Sequence, residues 1–196
     1  MFQLPEQLRE VFKGFGGDSS ESAVKINCKV DLLSTQVNIR LKQGTDNDQN
    51  GYTFGCAPYS LWLRDLGYYK IDELINLDDQ GAYFISRLAS SSNAYLEKKG
   101  KGKIDLEDLS DRLASNEVYE QAIYIGNQQR FATRLVVIKL PQEQIKKRRA
   151  KLRKTRKAKG KKVTARALKL CAINVFVTNL SSDLWSAMDI WQLYRI

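Results

Sequence analysis

One stretch constrains the fold of this chain more than any other: SLWLRDLGYYKIDELINLDDQGAYFISRL, from Ser60 to Leu88. It opens on a short apolar run, Leu61 to Leu63, that reaches Asp65 and then Gly67. A segment with helical spacing follows at Ile71, Leu74, Ile75 and Asp78, with acids in its first turn and Gly81 to stop it. A second apolar run, AYFISRL, closes the unit. Strand, helix, strand in this order predicts an α/β unit with a parallel strand pair. Asp65 then stands at the end of the first strand, where α/β proteins bind ligands. Two readings are open for it. It forms the turn before Gly67, or its carboxylate holds a divalent cation through oxygen.

Other segments surround this unit. AVKINCKVDLLS and QVNIRLKQG predict an antiparallel pair over Ala23–Leu33 and Gln36–Lys42, with GTDNDQNG as a polar loop. After Leu88 the character changes. A surface hairpin, the short helix LEDLSDRLA and two longer strands, VYEQAIYIG and QRFATRLVVIKLP, lead into a basic stretch. We read 1–88 as the first part of a core and 89–171 as an insertion, with 172–196 returning to the core. AINVFVTNL is the returning strand, and the last helix shows an apolar face at Leu184, Met188 and Trp191.

The chain has no histidine and three cysteines far apart, Cys28, Cys56 and Cys171. This excludes a histidine general base and argues against a structural zinc site or a disulfide framework, as expected of a reducing cytosol. No apolar stretch approaches the roughly 20 residues that span a bilayer, and the first residues do not read as a secretory leader, so no membrane partner is expected. The net charge of +10 is concentrated in one place. Of 32 Lys/Arg, 14 fall between Lys146 and Lys169, where there is no Asp or Glu; the rest of the chain carries 18 basic and 22 acidic residues, a net of −4. Lys146, Lys147, Arg148, Arg149, Arg153, Lys154, Arg156 and Lys157 are therefore the candidate contacts to a polyanion, DNA above all. The other reading is a solvated charge run.

Several further residues are weighed. Asp46 and Asp48 could lie beside a metal, but Gly and Asn neighbours favour a plain turn, and Asp31 beside its Ser-Thr break reads the same way. Asp31 and Asp65 are expected on or beside neighbouring strands of one sheet, with Asp65 at the carboxyl end of its strand. Glu97 and Lys99 form the second half of a restriction-type nuclease signature, which would need Asp65 to converge on them. Trp185, Trp191 and Tyr194 read as core of the last helix.

FQLPEQLREVFKGFGG, VKINCKVDLLS, RDLGYYKIDELINLDDQGAYFISRL and NVFVTNL…WQLYRI together resemble bacterial insertion-sequence transposases of the DDE type, in the branch with a Tyr-Arg-Glu-Lys signature. The resemblance runs along nearly the whole chain, in order. It implies a ribonuclease-H-like core with a β-rich insertion, and DNA cleavage and strand transfer with Mg²⁺ or Mn²⁺ held by three carboxylates. Asp65 matches the second carboxylate and a metal ligand, and Tyr194 the tyrosine of the signature. The family's first aspartate and its strand would lie before Met1, and the signature glutamate beyond Ile196. The resemblance thus implies a fragment without the first core strand and most of the last helix, inert alone and still able to bind DNA. Self-association and a bacterial cytoplasmic location, on the nucleoid when DNA is bound, are further expectations.

Overall fold

A computed structural model describes residues 2–16, 20–46 and 55–195. The strands are β1 (Phe2–Gln3), β2 (Ala23–Val30), β3 (Val37–Gln43), β4 (Leu61–Arg64), β5 (Tyr83–Arg87), β6 (Ala94–Tyr95), β7 (Val118–Ile125), β8 (Phe131–Lys139) and β9 (Ile173–Thr178). The helices are α1 (Ile71–Asp79), α2 (Leu106–Arg112), α3 (Gln142–Ala158), α4 (Ala165–Leu170) and α5 (Ala187–Tyr194). The architecture is mixed α/β. Among the described residues no helix is long and apolar enough to cross a membrane. The chain divides into two compact units, 1–50 and 51–196.

The first unit is an antiparallel sheet in the order β1-β2-β3. The register sets Ile26 against Leu41, Cys28 against Ile39 and Val30 against Val37, so these six share one face. The tight end of the hairpin is built by Asp31, whose Oδ1 accepts from the backbone N–H groups of Leu33 (2.9 Å) and Ser34 (3.2 Å). Its bonds to Ser34, side chain and then backbone, hold its carboxyl below the ordinary range. Asp31 is thus a turn former. Asp46 also sits in a turn, its N–H donated to Gln43 O; Asp48 lies outside the described residues.

The second unit is a six-stranded sheet in the order β4-β5-β9-β8-β7-β6. β4 and β5 are parallel, as the strand–helix–strand pattern requires, and the other pairs are antiparallel. Asp31 and Asp65 therefore belong to different sheets, which corrects the expectation that they flank neighbouring strands of one. The stretch 89–171 supplies β6, β7 and β8 to the same sheet as the strands before and after it.

Alternation along β8 sorts the core. Leu135 and Val137 face one side with Phe84, Val177 and Ile123, covered by Leu74 and Leu77 of α1 and Leu106 and Leu109 of α2. Val136 and Ile138 face the other side with Ile85 and Phe176, covered by Ala187 and Ile190 of α5. Central strands buried on both faces read as continuous apolar runs, which is why β8 and β9 look as they do in sequence. Asn179 ties the end of β9 to the α1–β5 connection: its Nδ2 donates to Asp78 Oδ1 (2.7 Å) and Ala82 O (2.9 Å), and its Oδ1 accepts from Phe84 N–H (2.9 Å).

The last helix corrects one expectation. Ser186 and Asp189 form a reciprocal capping box, so α5 begins at Ala187. Leu184 precedes the helix and is exposed, as is Met188, whereas Ala187, Ile190 and, in part, Trp191, Leu193 and Tyr194 make the buried stripe. Of the expected face only Trp191 packs inward.

Candidate functional site

The site is set by where β4 ends. Trp62 packs on the α1 side of the sheet and Leu63 on the α5 side. Alternation sends Arg64 back to the α1 side and Asp65 to the α5 side. Asp65 has extended backbone (φ −75°, ψ 165°) and precedes a 3₁₀ turn, Leu66–Tyr68, whose Tyr68 N–H bonds to Asp65 O at 2.9 Å. Its carboxylate caps no backbone group of that turn and is exposed to solvent.

Tyr194, on the last turn of α5, reaches this point. Its Oη lies 3.3 Å from Asp65 Oδ1 and 3.4 Å from Arg64 O, and the phenol O–H can donate to either. Its ring packs on Phe176 with centroids 4.8 Å apart. Burial, and then the Asp65 charge, push the phenol up to about 12, with Arg87 pulling the other way. At neutral pH Tyr194 is therefore a neutral donor facing an exposed carboxylate.

The parallel register adds a residue. Arg64 stands opposite Ser86, so one step further Asp65 stands beside Arg87 at the carboxyl ends of β4 and β5. Arg87 follows Ile85 by two residues and shares its α5-side face. It is half-buried, and its side chain has no hydrogen bond or ion pair among the described residues. On β9, Arg87 pairs with Phe176, and Asn174 lies two residues along on the same face. Asn174 Oδ1 accepts from Arg148 Nη2 of α3 at 2.7 Å. Asn174 Nδ2 is buried without a partner among the described residues. Burial, and then the Arg87 charge, lower the Arg148 pKa from its ordinary value. A carboxylate, a phenol and two arginines thus meet at one end of the sheet, and among the described residues no ion pair engages either arginine.

The sequence is 31% identical over 218 residues to the transposase for insertion sequence element IS231B of Bacillus thuringiensis subsp. berliner, a match covering all of this chain and 45% of that protein. It is 32% identical over 211 residues to the IS231E transposase of B. thuringiensis subsp. finitimus, covering 96% of this chain and 43% of the relative. It is 33% identical over 215 residues to the IS1151 transposase of Clostridium perfringens, covering 100% and 45%. By sequence, the chain belongs to the insertion-sequence transposases. It spans less than half the length of these relatives. No family model matches it.

In this transposase-family chain the metal-binding expectation meets a simple test of donor chemistry. Among the described residues no three of His, Cys, Asp and Glu come together. Asp65 supplies one carboxylate, and a two-metal site needs several. The described residues alone do not fit a pair of Mg²⁺ or Mn²⁺ ions. Glu97 and Lys99 do not complete the set. They follow β6, at the opposite edge of the sheet from β4.

The basic segment forms α3, a Gly160 turn and α4. Over its 17 residues α3 is roughly 25 Å long and buries only Ile145. Lys146, Lys147, Arg153, Lys154 and Lys157 are exposed, and Arg156 is half-buried. Lys147 pairs with Glu143 at 2.7 Å. Two of the eight expected cations turn inward: Arg148 bonds to Asn174, and Arg149 Nε donates to Leu168 O at 3.0 Å. Sequence reasoning passed over Arg87 and Asn174. Aligning SLWLRD with AYFISRL as parallel neighbours is the signal that would have found Arg87.

Proposed function

We propose that this chain is the part of a DDE-type insertion-sequence transposase that brings one catalytic carboxylate, Asp65, to a DNA strand. The observation that carries this reading is the Asp65–Tyr194 contact at the carboxyl end of the parallel pair. It joins the two residues that the resemblance marks, although 129 positions separate them. On this reading β4, α1 and β5 are part of a ribonuclease-H-like core. Arg87 and Arg148 face the phosphates of the strand, and the exposed cations of α3 hold the flanking duplex through its backbone. Tyr194 donates a hydrogen bond to Asp65 and fixes the carboxylate's orientation. Asp65 is one ligand of a Mg²⁺ or Mn²⁺ site in the longer family protein, and no cleavage step is assigned to these 196 residues alone.

That no three of His, Cys, Asp and Glu come together among the described residues favours a second reading, a nucleic-acid-binding protein in which Asp65 is structural. One experiment tests both the role of Asp65 and the role in DNA handling. The purified chain is mixed with supercoiled plasmid and with a labelled duplex, with and without Mn²⁺. Salt-sensitive binding without nicking is expected. Nicking abolished by Asp65→Ala would show that carboxylates called structural complete the site, and failure to bind DNA at low salt would remove the role in DNA handling.

A further inference from the structure

Asp65 occupies the position before a 3₁₀ turn, where an aspartate ordinarily accepts a hydrogen bond from the turn's own backbone. It makes no such bond. Asp31 and Asp105 show what the ordinary case looks like here: each accepts from two following N–H groups. Another side chain braces the Asp65 turn. Arg64 Nη2 donates to Tyr68 O at 2.8 Å, closing a loop from residue 64 to residue 68 around Asp65.

Arg64 is an expensive residue to place there. It is 4% exposed, on a face it shares with Trp62. The partner is Glu73 of α1, with Nη1 4.0 Å from Oε2 and the glutamate side chain 13% exposed. Neither of those two atoms has a hydrogen bond among the described residues. A buried pair at this separation, with atoms left unbonded, is poor evidence for stability, because the desolvation of both ions is large. Its short directional bond is the one across the Asp65 turn. On the other side of the sheet, Arg64 O is within 3.4 Å of Tyr194 Oη.

We propose that Arg64, neutralised by Glu73, is the positioning residue that braces the 64–68 turn and so holds Asp65 where its carboxylate meets Tyr194. Arg64 fastens the far end of the turn by donating to Tyr68 O, a carbonyl that the acceptor-only carboxylate of Asp65 could not bond. The inference rests on Asp65 being a working carboxylate, but its test needs no DNA.

The probe is the Tyr194 phenol. Replacing Tyr194 by 3,5-difluorotyrosine lowers the titration into a range where the fold survives, and ¹⁹F NMR reads its pKa directly. Asp65→Asn removes the nearby negative charge and should lower that pKa. In Arg64→Met/Glu73→Gln, which removes both buried charges together, the pKa should fall by a similar amount. Adding Asp65→Asn to that variant should then change it little. Loss of a cation alone would move the phenol the other way, and a fall from lost burial would leave the Asp65→Asn shift in place, so it is the missing Asp65→Asn shift that reports loss of the contact. Arg64→Lys, with one donor for Tyr68 O, should restore part of the shift. Cooperative thermal unfolding is the check that the variants fold. If the double variant does not fold, Arg64→Lys carries the test, and the Asp65→Asn shift should be reduced in that background. An Asp65→Asn shift of full size in the Arg64 variants would overturn the proposal. A chain that binds no DNA yet shows this coupling would sink the functional reading and leave the positioning role standing.

Discussion

The exposed cations of α3 give a prediction whose size follows from their number. Lys146, Arg153, Lys154 and Lys157 are exposed, and none has an ion pair among the described residues. Arg148 and Arg149 are held by Asn174 and Leu168 and do not belong in the same test. If each of the four neutralises one phosphate, replacing them by Ala lowers the slope of log K against log salt by about 0.9 per contact, or about 3.6 in total. Between 50 and 200 mM salt the wild-type chain should then lose roughly two orders of magnitude more affinity than the variant. Fluorescence anisotropy on a labelled duplex over that range measures both slopes. The variant should bind more weakly at low salt and converge on the wild type at high salt. An equal slope in the two proteins would refute the assignment and leave α3 a solvated helix.

Three further outcomes follow from the structure. The Tyr194 phenol is raised above its unfolded value of about 10, so its contribution to stability is full below that value and is lost as pH rises through about 12; Tyr194→Phe should flatten that part of an alkaline denaturation profile. Arg134 is nearly buried, makes two bonds to the Glu120 carboxylate (2.9 and 2.8 Å), and donates to Trp185 O (2.7 Å) and Leu180 O (3.3 Å); with Glu120 about one-third exposed, Arg134→Ala should cost about 2–3 kcal/mol, read as a lower urea midpoint at constant slope. Ser186→Ala removes the capping box of α5 and should cost about 1 kcal/mol, with Ser186→Asn recovering most of it.

How far the sequence carried depends on which interactions are local. The β4–α1–β5 unit was legible because its periodicity switches cleanly and Gly81, at φ +70°, ends the helix. The β2–β3 hairpin was legible for the same reason. The stripe on α5 was misread because apolar spacing counted from Leu184 ignores the Ser186–Asp189 cap, which starts the helix three residues later, at Ala187. Asp65 stood out from its place at a strand end, whereas the role of Tyr194 came from resemblance alone, since nothing local links residues so far apart. Arg87 was invisible until the strands were in register. Arg148 and Arg149 looked solvated because their partners include backbone carbonyls, which leave no trace in composition.

The central claim is that a DNA strand passes the end of β4 and β5 beside Asp65. Site-specific photocrosslinking tests it most directly. Benzoylphenylalanine is placed in turn at Arg87, at Arg153 on α3 and, as a control, at exposed Gln80 just past α1. The account predicts DNA adducts from positions 87 and 153 and none from position 80. Adducts from 153 alone would mean that α3 holds the DNA while Asp65 stands outside its path, and would contradict the account.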